Sequence, residues 1–405
     1  MTSTVESLPT KARRGRSLFR FFLIGFGKPA RWPAAAVYLL AAIMAGGLAW
    51  LWAAQAASAG NALLVFLIMG SFFASDRDLL SGLPRRGISF APWAEQFFAL
   101  AVSRAAVALI LGLLIPVVGW PAAFYTNIAL QFAGTLALFQ GAVIEPRRLT
   151  LNNLRVITER LPAESEPIRI LHVTDLHIER LGVREAQLIE HIKAAAPDFI
   201  FLTGDYVNIS NGNDPVTHEQ IRDLLGKLSA PGGVFAVLGS PAVDQAEVVP
   251  PLFEGLPVQL LRDEVVELTA PGGQPFRLLG LDCHHHDLVR DAQTLERLVA
   301  SGSGSGPIIL LYHSPELMRQ AVAHEIDLYL CGHTHGGQIR LPFVGPMLTS
   351  SRLGRRYVMG HYHEAKTHLY VSRGVGFEGL GAPRVRFLCP PEIMLVQMVA
   401  KDRAG

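Results

Sequence analysis

Charge is scarce in this sequence: Asp, Glu, Lys and Arg supply 17% of its 405 residues, against about a quarter in ordinary soluble chains. Half of the residues are hydrophobic, which excludes a uniformly water-facing chain and puts part of it in lipid. The net charge is only +2 and the basic residues form no single long run, so no nucleic-acid partner is expected. Cysteine is scarcer still. Cys283, Cys331 and Cys389, widely spaced and odd in number, exclude a disulfide framework and a CxxC metal site, and are compatible with a reducing compartment.

What is present is unevenly distributed. Long apolar runs concentrate before Pro146: Ala34 to Ala56, Ala62 to Ser75, Phe97 to Gly119 and Ala122 to Ile144. Three reach the length of about 20 residues that a helix needs to cross a bilayer, and the second is short. Gly60 and Asn61 are the only interruption between the first two, which predicts a tight helical hairpin, with a re-entrant segment as the alternative. Arg104, near the start of the third run, is expected to snorkel toward the headgroups. Trp50, Trp52, Trp93 and Trp120 lie near run ends, where amphipathic rings favour the interface.

Lys11, Arg13, Arg14, Arg16, Arg20, Lys28 and Arg31 precede the first run against a single acid, Glu6. Arg77, Arg85 and Arg86 follow the second run, and Arg147 and Arg148 follow the fourth. The positive-inside rule then places the N-terminus in the cytoplasm, and an even number of spans leaves the rest of the chain there. This describes a multi-pass inner (cytoplasmic) membrane protein with its soluble domain on the cytoplasmic side. The Arg13–Arg14 pair and "AQAASAG" offer an export-signal alternative, but an N-terminal signal leaves three later runs unexplained. The expected organisation is a basic cytoplasmic segment 1–33, an all-α membrane region 34–145 of about four transmembrane helices, a linker 146–166, and a soluble domain 167–400.

From Pro167 onward short apolar runs alternate with amphipathic stretches. "IRILHVTD", "DFIFLTGD", "VFAVLGS", "FRLLGLD", "PIILLYHS", "DLYLCGH" and "LYVSRG" read as strands, and "REAQLIEHIKAAA", "HEQIRDLLGKL" and "AQTLERLVA" as helices. The alternation predicts an α/β domain; "SGSGSG" at Ser301 to Gly306 is a flexible connector without chemistry. Ligands of open α/β sheets bind beyond the carboxyl ends of strands, and those ends carry Asp175 and His177, Asp205, His313, and His333 with His335. Taken singly, each histidine is more often a satisfied or exposed side chain, and each aspartate a turn residue. Their recurrence at successive strand ends favours a site for Mn²⁺, Fe²⁺ or Zn²⁺, cations that suit mixed nitrogen and oxygen donors. In D-x-H and H-x-H spacing, alternate side chains leave an extended segment on the same side, so each pair can reach one ion.

"DLH" (Asp175 to His177), "GDYVN" (Gly204 to Asn208), "YHSP" (Tyr312 to Pro315) and "GHTHGGQIRLP" (Gly332 to Pro342) resemble, in order, the motifs of the calcineurin-like metallophosphoesterases. "LYVSRGVG" and "RFLCPPEI" resemble a membrane-associated bacterial branch related to enzymes of lipid-linked phosphoesters. The resemblance spans Pro167 to Val399 and implies a four-layer α/β sandwich of two mixed sheets flanked by helices, with two divalent metal ions between the sheets. It implies that Asp175, His177, Asp205 and His335 hold one ion, that Asp205 bridges, and that His313 and His333 hold the other. Such a pair activates water and clamps phosphate oxygens for in-line attack.

One motif of that family departs here. Its G-N-H-D supplies an Asn ligand and a His proton donor, and this chain has Gly239, Ser240, Pro241 and Ala242 in their place. Ser240 is a weak candidate ligand and Pro241 cannot donate a proton. His284, His285 and His286, after the strand "FRLLGLD", are candidate substitutes beside the ordinary reading of an exposed histidine-rich loop. Arg340 and Arg373 are candidate substrate contacts, although exposed arginines are more often solvated. Two functions are therefore expected: a membrane-anchored metal-dependent phosphoesterase for a phosphomonoester, phosphodiester or pyrophosphate, with a lipid-linked substrate and membrane lipid as partners; or a catalytically impaired sensor that binds metal and a phosphorylated ligand.

Overall fold

The computed structural model describes residues 32–56, 59–379 and 384–401, so positions 1–31 of the basic segment lie outside the described residues. The chain divides into a helical unit up to Ile144, joined by the short stretch Gly379–Val385, and an α/β unit formed by Glu145–Glu378 and the chain from Arg386.

The helical unit contains α1 (Ala34–Ala56), α2 (Ala59–Gly82), α3 (Trp93–Val118) and α4 (Trp120–Phe139). Among the described residues three stretches, Ala34–Gln55, Gln96–Val118 and Trp120–Arg147, are long and apolar enough to cross a membrane. The second run is not short in structure. It lies within a helix of 24 residues that continues through Asp76, Arg77 and Asp78. Gly60 and Asn61 sit inside α2, and residues 57–58 lie outside the described residues.

Arg104 does not snorkel. It is buried, and its Nε and Nη2 donate to the two carboxylate oxygens of Asp76 at 2.6 and 2.7 Å. Its remaining donors reach the Gln131 carbonyl at 2.7 Å and Thr135 Oγ1 at 2.8 Å. An acid left alone in α2 would be costlier than a neutralised pair, and this fixes the side chain inward. Trp52 is fully buried among the helices and donates Nε1 to the Ala108 carbonyl at 3.0 Å.

The α/β unit begins with a correction. Residues 146–166, expected to be a linker, carry β1 (Thr150–Thr158). Along the chain follow β2 (Ile168–Val173), α5 (Val183–Ala195), β3 (Phe199–Leu202), α6 (Pro215–Leu225), β4 (Val234–Ala236), β5 (Val258–Leu260), β6 (Glu264–Thr269) and β7 (Pro275–Gly280). Then come α7 (Leu288–Ser301), β8 (Ile308–Leu311), α8 (Met318–Ala323), β9 (Leu328–Cys331), the small hairpin β10 (Arg340–Leu341) and β11 (Gly345–Pro346), β12 (Gly360–Glu364), β13 (Thr367–Val371) and β14 (Glu392–Ala400). They form two mixed sheets, ordered β1-β14-β2-β3-β4-β5 and β12-β13-β9-β8-β7-β6. β1 pairs in parallel with β14 from Thr150 with Glu392 to Thr158 with Ala400.

Side-chain alternation produces the layers, because successive residues of a strand face opposite sides. In β3, Phe199 and Phe201 point into a core shared with Phe276, Leu278, Ile309 and Leu311 of the second sheet, while Ile200 and Leu202 face α5 and α6. In β8, Ile309 and Leu311 join the shared core, and Ile308 and Leu310 pack with Leu295 of α7 and Met318 of α8. Strands covered on both faces must be apolar throughout, which is why they read as unbroken runs. The result is helices, sheet, sheet, helices.

Candidate metal centre

Each strand end delivers a polar residue to one place. Asp175 and His177 follow β2, Asp205 follows β3, Ser240 follows β4, His285 follows β7, His313 follows β8, and His333 and His335 follow β9. Six of these turn at positive φ: Asp175 (50°), His177 (42°), Asp205 (58°), His285 (38°), His333 (70°) and His335 (50°). Such backbone is costly for residues other than glycine and persists where the surroundings impose it, commonly at functional sites. Gly239 is required by close approach: a Cβ there would collide with the Asp205 carboxylate.

Among the described residues three groups of potential ligand atoms converge, the atoms of each group within 4.8 Å of one another: Asp175, His177 and His335; Asp175, Asp205 and His313; and His285, His313 and His333. Nε2 of His177 lies 3.1 Å from Nε2 of His335 and 3.6 Å from Asp205 Oδ2, which is itself 3.2 Å from Nε2 of His313. Asp205 thus stands between the two groups of imidazoles.

The donor set fits divalent cations. Facing imidazole nitrogens with carboxylates in reach are the ligands that Zn²⁺, Fe²⁺ and Mn²⁺ accept. Nδ1 of His335 is buried without a hydrogen-bond partner. Burial opposes charge on the rings, yet Glu378, Asp205 and Asp175 push His177 up to about 9, and Asp205 pushes His313 up to about 10. Asp205 is itself buried but held well below the ordinary carboxylate range by His313, His177 and His333. Burial, with the neighbouring His333 and His313, drives His285 down to about 2.

Of the histidine-rich loop, only His285 turns inward, with Nε2 3.1 Å from Ser240 Oγ. His284 is held by Asp291 at 2.7 Å, and His286 is exposed. The expected substrate contacts lie beside Gly336, in the loop that carries His333 and His335, and both are engaged with the protein. Arg373 is neutralised by Glu392, to which it donates from Nη2 and from its backbone N–H, so it is not a free anion contact. Arg340 donates to the Gly336 carbonyl at 2.8 Å and braces the loop that carries His333 and His335.

Two acids escaped the sequence reading. Asp244 is buried, its pKa pushed up to about 7 by desolvation and by Asp205, and its carboxylate ties the Asp205 and Gly239 turns together. An Asp closing a Gly-Ser-Pro turn is a known acceptor of turn amides, and that was the available signal. Glu378, whose Oε2 lies 3.1 Å from His177 Nδ1, follows an irregular segment that no pattern marks.

Residues 168–337 match the family model described as calcineurin-like phosphoesterase. They belong to that family. The metallophosphoesterase domain is also similar to the Bacillus subtilis metallophosphoesterase YkuE, at 29% identity over 62% of this chain and 85% of that one. A Helicobacter pylori metallophosphoesterase is 28% identical over 58% of this chain but only 61% of its own length. The Escherichia coli phosphodiesterase YaeI is 28% identical over 58% of this chain and 83% of its own. The α/β unit is therefore a phosphoesterase hydrolase domain.

Proposed function

We propose that the protein is a membrane-anchored, dinuclear-metal phosphoesterase acting on a lipid-linked phosphodiester or pyrophosphate. The carrying observation is the convergence of Asp175, His177 and His335 beside Asp205, His313 and His333. In this reading the first three hold one cation together with Asp205, His313 and His333 hold the second, and Asp205 is shared. Bound there, the cations supply positive charge for the phosphate oxygens and a nucleophilic water at neutral pH. The chain's own part is to fix six donors at strand ends, five of them at positive φ, to keep Asp205 ionised, and to hold Nε2 of His177 against Nε2 of His335.

Pro241 is exposed and brings no proton to a leaving group. Substrates whose leaving group is already a weak base, such as the phosphate released from a pyrophosphate or an acidic alcohol, lose least from that absence. Membrane anchoring rests on the three apolar stretches, and a lipid-linked substrate on their proximity in the chain. In this reading α2, with Asp76 neutralised by Arg104, is a fourth span, and an even count together with the positive-inside rule supports a cytoplasmic domain.

Pro241 also favours a second reading, a metal-binding module that holds a phosphorylated ligand without turnover. Metal content and hydrolysis of aryl phosphodiesters and lipid pyrophosphates, across Mn²⁺, Fe²⁺ and Zn²⁺, separate the two when wild type is compared with Asp205→Asn. The enzyme reading expects turnover that Asp205→Asn reduces by about 100-fold or more, the size of effect seen when a transition-state charge stabiliser is removed. Wild type that loads metal yet hydrolyses no better than the mutant sinks it.

A further inference from the structure

We propose that His285 is a metal ligand that replaces the amide oxygen missing at Ser240, so that the second cation is held by three imidazoles and Asp205. This rests on the dinuclear reading above and goes beyond it in assigning a ligand from a loop that the family's motifs do not include.

The geometry around Ser240 carries the assignment. Its Oγ is ringed by His285 Nε2 at 3.1 Å, His313 Nε2 at 3.1 Å, His333 Nδ1 at 3.4 Å and Asp205 Oδ2 at 3.3 Å. A hydroxyl has one proton to give and two lone pairs, so it cannot serve four such neighbours at once. A divalent cation can, and three imidazoles with one carboxylate form a four-donor set of the kind Zn²⁺ adopts. The rings of His285 and His333 are 4.4 Å apart and those of His285 and His313 are 6.1 Å apart. The Ser240 hydroxyl is the partner of His285 Nε2 but is shared with His313, His333 and Asp205, and coordination would give each of these groups a partner of its own.

The fold aims the ring. β7, β8 and β9 are neighbours in the second sheet and parallel to each other, and each releases one of these histidines beyond its carboxyl end. His285 shares the positive φ of Asp205 and His333. Its loop is anchored on one side, because buried Asp291 accepts from the His284 backbone N–H at 3.1 Å and from the Tyr312 hydroxyl at 2.6 Å. Exchanging an amide oxygen for an imidazole makes the site richer in nitrogen, which moves its preference from Mn²⁺ toward Zn²⁺ or Fe²⁺.

The test uses the full chain in detergent, with metal content measured by mass spectrometry after dialysis against buffered Zn²⁺ or Mn²⁺, and the absorption spectrum of the Co²⁺-loaded protein. Wild type is expected to hold two Zn²⁺ per chain. His285→Ala is expected to keep one and to lose the second ion's share of the four-coordinate Co²⁺ bands, while His284→Ala and His286→Ala keep both. His285→Ala combined with Ser240→Asn is expected to regain a second ion with Mn²⁺ now competitive, which also shows that the scaffold survives the change. Two ions bound by His285→Ala at wild-type affinity overturn this proposal and leave the dinuclear reading standing. Wild type that loads fewer than two ions overturns both.

Discussion

The carboxylate of Asp244 holds the backbone of Asp205: its Oδ2 accepts the Asp205 N–H at 2.7 Å and, with the same oxygen, the Gly239 N–H at 2.8 Å. Oδ1 accepts from Tyr206 N–H at 2.9 Å. Asp244→Ala leaves three buried amides without acceptors, at about 1–3 kcal/mol each before relaxation. Asp244→Asn should also be destabilising, because either orientation of its NH2 faces at least one of those N–H groups. Thermal unfolding of the metal-free protein checks both, and an Asn variant as stable as wild type contradicts the stapling role.

Pro241→His returns a proton donor to the mouth of the site. Turnover of alkyl phosphoesters should rise by about 100-fold or more, with little change for nitrophenyl esters, whose leaving groups need no proton. Rates across a series of phenols measure this directly: wild type should show the steeper dependence on leaving-group acidity. Equal slopes would mean that another group already protonates the leaving oxygen.

Acid should weaken the fold through His172. This ring is fully buried, its Nε2 lies 2.8 Å from Thr203 Oγ1, and burial lowers its pKa from 6.5 to about 3. A histidine depressed in the folded state costs nothing above its unfolded value, and the cost grows as pH falls from 6.5 toward 3. The slope is about 1.4 kcal/mol per pH unit for one such group. In chelator, the loss of melting temperature between pH 7.5 and 5.5 should be smaller in His172→Gln than in wild type; identical losses would rule His172 out as a contributor.

Arg104→Met should cost about 3–5 kcal/mol, since it strands the Asp76 carboxylate among apolar helices. Adding Asp76→Leu should recover most of it. Aggregation midpoints in detergent compare the three forms, and a single mutant as stable as the double would show that the pair is dispensable.

The strand ends were legible because two-sided burial forces unbroken apolar runs, so the first polar residues after them stand out: Asp175, Asp205, His313 and His333 are of this kind. β1 was not legible. As an edge strand with half-buried Asn152 and exposed Asn153, it has no apolar run to display. The inward turn of Arg104 depends on Asp76, 28 residues away in another helix. Sequence named all three of His284, His285 and His286, but the choice among them is made by Asp291 and Tyr312, partners that spacing does not reveal.

β14 lies between β1 and β2 in the first sheet. On a ribosome, β1 and β2 emerge long before residues 392–400, with the entire second sheet synthesised in the interval. Until then β1 is cut off from the rest of the sheet and β2, which launches Asp175 and His177, is unpaired on one edge. The domain therefore matures only late in translation, and its earliest strands must wait, exposed to mispairing, for the last one to close the gap.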